Sequence, residues 1–125
     1  MGPLISPQHL EKVRNYIRLG QEEGAVLLCG GGVPADVPVG GNYLEPTIFD
    51  YTTSNMRIVQ EEIFGPVLVI QTFSEEAEAI QLANDTVYGL AAAVFTTDVA
   101  KAHRVIRKLR AGITWINTYH PTYIM

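Results

Sequence analysis

Apolar residues recur along this chain in two alternating rhythms, one helical and one strand-like. Leu10, Val13 and Ile17 stand at helical spacing behind Ser6-Pro7, a pair suited to the cap and first position of a helix. Gly24 supplies a stop after Glu22-Glu23. Ala25-Val26-Leu27-Leu28-Cys29 is a short, continuously apolar run, which predicts a strand covered on both faces. Residues 30–41 are rich in glycine and proline and read as a surface loop. Pro46-Thr47-Ile48-Phe49 predicts a short strand, assigned to a sheet edge because of its proline.

The second half repeats the alternation. Val67-Leu68-Val69-Ile70-Gln71-Thr72-Phe73 predicts a strand, and Ser74 the cap of a helix with Glu75, Glu76 and Glu78 in its first turn. Ala77, Ile80 and Ala83 form the apolar stripe of that helix, which Asn84-Asp85 breaks. Residues 90–96 predict another strand. Asp98 caps a helix whose Val99, Ala102, Val105, Ile106 and Leu109 face inward, with Gly112 as its end. Ile113-Thr114-Trp115-Ile116-Asn117 returns to strand. Strands alternating with single helices predict an α/β fold with a mainly parallel sheet flanked by helices. No repeat, charge block or linker interrupts residues 1–125, which read as one domain.

Composition narrows the function classes. The chain has 9 Lys+Arg against 13 Asp+Glu, and 47% of its residues are hydrophobic, enough for a core. With a net charge of −4 there is no broad basic face, so nucleic acid is not an expected partner. No apolar run approaches the ~18 residues of a membrane-spanning helix, and the N-terminus lacks a signal-peptide pattern, so the expected location is cytoplasmic. Cys29, the single cysteine, makes neither an internal disulfide nor a thiolate cluster. His9, His103 and His120 are too scattered for a metal site.

Candidate chemistry concentrates in Glu61-Glu62-Ile63-Phe64-Gly65-Pro66. A carboxylate held there could accept hydrogen bonds from neighbouring sugar hydroxyls, and the phenyl ring could line a flat heterocycle. Spacing alone favours a plainer reading, a solvated acidic loop before a Gly-Pro turn. Cys29 has no neighbouring histidine, lysine or arginine in sequence and reads as an inert thiol. Gly30-Gly31-Gly32 fits neither the dinucleotide nor the phosphate-loop spacing. Asn117-Thr118-Tyr119-His120 ends the last strand, where such folds commonly hold ligands, with a polar strand terminus as the alternative.

Taken together, Ile58-Val59-Gln60-Glu61-Glu62-Ile63-Phe64-Gly65-Pro66-Val67, Ala83-Asn84-Asp85-Thr86-Val87-Tyr88-Gly89-Leu90-Ala91-Ala92, Val94-Phe95-Thr96-Thr97-Asp98 and Ala111-Gly112-Ile113-Thr114-Trp115-Ile116-Asn117 resemble the NAD(P)-dependent aldehyde dehydrogenase superfamily. Within it, Asn84-Asp85-Thr86 and Trp115-Ile116-Asn117-Thr118-Tyr119-His120-Pro121 look most like the bacterial betaine aldehyde dehydrogenases. The resemblance implies that Glu62 matches the carboxylate binding the nicotinamide ribose and Phe64 the aromatic beside the nicotinamide ring. It makes Asn117, Tyr119 and His120 candidate substrate contacts.

The same resemblance implies a reaction in which a cysteine thiolate attacks an aldehyde, hydride passes to NAD or NADP, and a glutamate base assists release of the acid. Neither the cysteine motif nor that base has a counterpart here, so no catalytic residue is assigned. The expectation is a fragment: the latter part of the catalytic domain, a partial open sheet cut at both ends. Such a chain would be inactive alone and would bind NAD or NADP very weakly. The alternative is a small non-catalytic α/β module that binds a partner or itself. Unpaired sheet edges favour self-association in either case.

Overall fold

The computed structural model describes residues 1–119 of the chain. Helix α1 (Pro7–Glu22) begins as its sequence requires: the Ser6 hydroxyl accepts the His9 N–H at 3.1 Å, and Pro7 occupies the first turn. Its buried side is Leu10, Val13, Ile17 and Gly20. After Gly24, at φ +97°, the chain enters strand β1 (Val26–Cys29). Strand β2 (Thr47–Asp50), the short helix α2 (Arg57–Gln60) and strand β3 (Val67–Val69) follow. Beyond them lie helix α3 (Glu76–Asn84), strand β4 (Ala91–Val94), helix α4 (Val99–Ile106) and strand β5 (Ile113–Ile116). The chain divides into two compact units, Met1–Thr72 and the residues from Phe73 onward.

In the first unit the sheet order is β1-β2-β3. Strand β1 is antiparallel to β2, pairing Leu27 with Phe49, and β2 is parallel to β3, pairing Phe49 with Val69. One face of this sheet meets α1 and α2 in a core of Leu10, Val13, Ile17, Ala25, Leu44, Phe49, Met56, Ile58 and Ile63. Phe49 and Val13 are fully excluded from solvent. A Cβ on Gly30, which sits at φ +80°, would collide with the Pro46 carbonyl oxygen, so only glycine lets the loop leave β1 so close to the next strand.

Two local expectations are overturned here. Strand β1 is covered on one face only: Val26 and Leu28 are 44% and 54% exposed, because the helices of this unit lie on the side that Leu27 and Phe49 face. Strand β2 is central rather than an edge. Pro46 lies just outside it, so the ladder begins with Thr47, whose N–H donates to the Pro66 carbonyl at 2.8 Å.

In the second unit β4 and β5 pair in parallel, with Ala91 opposite Ile113 and Val94 opposite Ile116. Helix α4 connects and packs against both strands. Its cap is the one expected, with Asp98 accepting the Lys101 N–H at 2.9 Å. Helix α3 starts one residue later than the Ser74 cap would place it; Ser74 instead donates its N–H to the Glu78 carboxylate at 2.8 Å. The expected stripe of α3 is covered only in part: Ile80 is half-buried, Ala77 and Ala83 are exposed, and no residue of the helix is fully buried. Polar ties hold this unit instead. Arg104 of α4 grips Glu76 of α3 through two hydrogen bonds of 2.8 and 2.6 Å. The Asn84 side chain donates to the Lys108 carbonyl and accepts from the Arg110 N–H. Three pairings of strands are present in the described residues, and two are parallel.

Candidate cofactor site

Residues 61–65 leave α2 and cross the flank of α1, and their positions alternate in role. Glu61 is held, Ile63 is buried at 7% exposure, and Gly65 lies against Val13. Glu62 and Phe64, between them, are exposed, Phe64 at 71%. On the helix side the receiving groups are His9, Val13 and Tyr16, spaced to share one face of α1.

The crossing is tight. A Cβ on Gly65 would sit 2.7 and 2.9 Å from the two γ-carbons of Val13, a stiff side chain with no room to turn. Glu61 is fixed by three hydrogen bonds: Arg57 Nε at 2.7 Å and Nη2 at 3.0 Å, from one turn upstream, and the Tyr16 hydroxyl at 2.6 Å. The bonds from Arg57, then that from Tyr16, hold its carboxyl down at about 2, and the guanidinium of Arg57 is raised in turn. Glu23 extends the lock by accepting the Arg57 N–H at 2.9 Å. No described residue donates a hydrogen bond to Glu62 or forms an ion pair with it. The two adjacent carboxylates are thus of opposite kinds, one spent on the fold and one available.

Phe64 has φ +59°, a left-handed conformation that a side chain with a Cβ rarely adopts. Its carbonyl oxygen accepts a 2.6 Å hydrogen bond from His9 Nε2. An exposed aromatic in strained backbone next to an unengaged carboxylate suits a ligand with a flat ring and hydroxyl donors.

The residues expected near the substrate fall in the second unit. Asn117 also has positive φ, at 53°, but its side chain is occupied: Oδ1 accepts the Thr96 N–H at 2.8 Å and Nδ2 donates to the Thr96 carbonyl at 2.9 Å. That pair of bonds continues the β4–β5 ladder by one step. Tyr119 is 75% exposed, its ring edge-on to Trp115 at 5.5 Å between centroids. His120 lies outside the described residues. Cys29 is exposed at the end of β1, after a register shift in its pairing with β2. Among the described residues no cluster of His, Cys, Asp and Glu is placed to hold a metal ion, and no helix is long and apolar enough to cross a membrane.

Sequence comparison decides the family. The sequence model of the Aldehyde dehydrogenase family matches residues 1–124. The chain belongs to the aldehyde dehydrogenase family. It is 54% identical over 123 residues to a betaine aldehyde dehydrogenase of Bacillus subtilis, covering 98% of this chain and 25% of that protein. To a 5-carboxymethyl-2-hydroxymuconate semialdehyde dehydrogenase of Escherichia coli it is 52% identical over 122 residues, 94% of this chain and 26% of that protein. Among solved structures, the Staphylococcus aureus betaine aldehyde dehydrogenase in complex with NAD+ superposes with a TM-score of 0.94 at 48% identity, over 98% of this chain and 25% of that one. This aldehyde dehydrogenase chain therefore spans about a quarter of the length of the relatives it matches, and its α/β architecture is that of part of their fold.

Sequence reasoning singled out Glu62 and Phe64 but missed the groups that present them. Arg57 and Glu61 stand at the i,i+4 spacing of a helical ion pair and were legible as such. Tyr16 and His9 are 45 and 55 residues away from their partners, and nothing local signals them.

Two outcomes follow. Gly65→Ala destabilises the first unit by about 1–3 kcal/mol, because neither Val13 nor the crossing backbone can yield; urea denaturation measures it. The carboxyl of Glu61 is depressed from 4.5 to about 2, so its contribution is complete above pH 4.5 and vanishes as pH falls through 2. The thermal midpoint of the native chain should exceed that of Glu61→Gln at neutral pH, and the two curves should converge across that window; a difference that grows as pH falls would contradict the assignment.

Proposed function

We propose that this chain supplies one wall of the NAD+ site of an aldehyde dehydrogenase, the parent enzyme oxidising an aldehyde to its carboxylic acid. Glu62 accepts hydrogen bonds from the two hydroxyls of the nicotinamide ribose, and Phe64 lies beside the nicotinamide ring. The observation that carries the reading is the division of labour within the acidic pair: Glu61 is locked by Arg57 and Tyr16, whereas Glu62 is exposed and unengaged among the described residues. NAD+ rather than NADP+ is supported by the Staphylococcus aureus relative, solved with NAD+. The bound cofactor supplies the hydride acceptor; these residues only bind and orient it.

Betaine aldehyde is the leading substrate on the strength of the Bacillus subtilis relative. The similar identity to a semialdehyde dehydrogenase keeps the aldehyde class broader than one compound. Asn117, Tyr119 and His120 stay proposed for the approach to that substrate, Asn117 through backbone geometry because its amide is engaged by Thr96. A cytoplasmic location fits the mildly acidic composition. The chain by itself carries no aldehyde oxidation in this reading, since Cys29 has no histidine, lysine or arginine beside it in sequence to activate a thiol.

A second element of the proposal is self-association. The uncovered face of the β1–β3 sheet presents Val26, Leu28 and Leu68, 44%, 54% and 57% exposed, an apolar face that we propose a second copy buries. Light scattering should therefore report a dimer or larger assembly whose mass rises with concentration, and a monomer throughout would contradict it.

Ligand-observed NMR tests the cofactor assignment. Saturation transferred from the 125-residue chain to nicotinamide mononucleotide should reach the nicotinamide and ribose protons, with affinity no tighter than about millimolar for so few contacts. Glu62→Gln and Phe64→Ala should each remove most of that transfer. Transfer that neither substitution alters would overturn the reading.

A further inference from the structure

We propose that His9 is a positioning residue for Phe64: by donating from Nε2 to the Phe64 carbonyl, it selects the left-handed backbone that aims the phenyl ring. The inference rests on the reading of Phe64 as the aromatic beside the nicotinamide.

Phe64 needs such a device. Its φ of +59° is unfavourable for any residue with a Cβ, and no helix or strand imposes it, for Phe64 lies between α2 and β3 in neither element. What compensates is local. The next residue, Gly65, is pressed against Val13, which fixes where the chain must go. The carbonyl of Phe64 is then turned toward α1, where His9 Nε2 meets it at 2.6 Å. The two rings also face each other, 6.2 Å apart between centroids and tilted by 42°.

His9 is itself well placed to act as a fixed donor. It stands in the first turn of α1, and its own N–H is held by the Ser6 hydroxyl at 3.1 Å. The cap that starts the helix therefore also sets the origin of the side chain that reaches Phe64. Chemistry fixes the proton: a carbonyl oxygen only accepts, so Nε2 carries hydrogen. The tautomer protonated only at Nδ1 would oppose two lone pairs at 2.6 Å, so the proposal requires hydrogen on Nε2.

Three readouts on the 125-residue chain test this. Long-range proton–nitrogen correlation on the unmodified chain should find His9 protonated at Nε2; protonation at Nδ1 alone would overturn the proposal without any substitution. His9→Leu should move the Phe64 backbone carbon shifts away from left-handed values, and His9→Gln, which keeps a side-chain N–H, should restore them. Saturation transfer to nicotinamide mononucleotide should fall about three- to tenfold in His9→Leu, the loss of one hydrogen bond, and recover in His9→Gln. Left-handed shifts and transfer that survive His9→Leu would overturn it. If the backbone responds as described but the unmodified chain transfers nothing to the nucleotide, His9 still positions Phe64 and it is the cofactor reading that fails.

Discussion

The crossing of residues 61–65 over helix α1 is the constraint on which the site depends. Gly65 can lie against Val13 only because it has no side chain, and Val13 is held immobile by complete burial in the core beneath it. From that contact the chain has little freedom. Glu61 must turn to Arg57 and Tyr16, Ile63 must enter the core, and Glu62 and Phe64 are left facing away. The core of the first unit thus reaches its chemistry through a single close approach, and packing of Val13, Phe49 and Ile58 determines where a carboxylate and a ring stand in solvent.

Helix α1 does more than cover a sheet. One side of it, Leu10, Val13 and Ile17, belongs to the core, while His9 and Tyr16 at its margin hold the crossing at two points through polar bonds. Its cap at Ser6 ties the start of the helix to the orientation of His9. Stability and presentation of the candidate site are therefore carried by the same sixteen-residue element. The second unit is built differently, with Ala102 its only buried hydrophobic residue among those described and with side-chain bonds from Asn84, Arg104 and Asn117 taking the place of a large core.

Much of this was legible in the sequence. The caps at Ser6 and Asp98, the inward positions of α1 and the five strands follow from spacing and residue type. The one-turn helix α2 was not, because four residues are too few to display a period. The coverage of β1 was misjudged because an apolar run reports that a strand can be buried on both faces, not that anything in the chain will cover them. Pro46 misled for a related reason: its missing N–H matters only inside a ladder, and it lies just before one. Within the site, resemblance distinguished Glu62 from Glu61. The i,i+4 spacing from Arg57 hints that Glu61 is the engaged one, and the tyrosine 45 positions away that completes its hold has no local signal.

The central claim is this separation of roles between neighbouring carboxylates. It is tested most directly by measuring unfolding midpoint and nicotinamide mononucleotide binding side by side for Glu61→Gln and Glu62→Gln. The account predicts that the first lowers the midpoint at neutral pH, and that the second leaves the midpoint unchanged while removing the ribose contact. A midpoint lowered by Glu62→Gln, or nucleotide binding indifferent to it, would contradict the account.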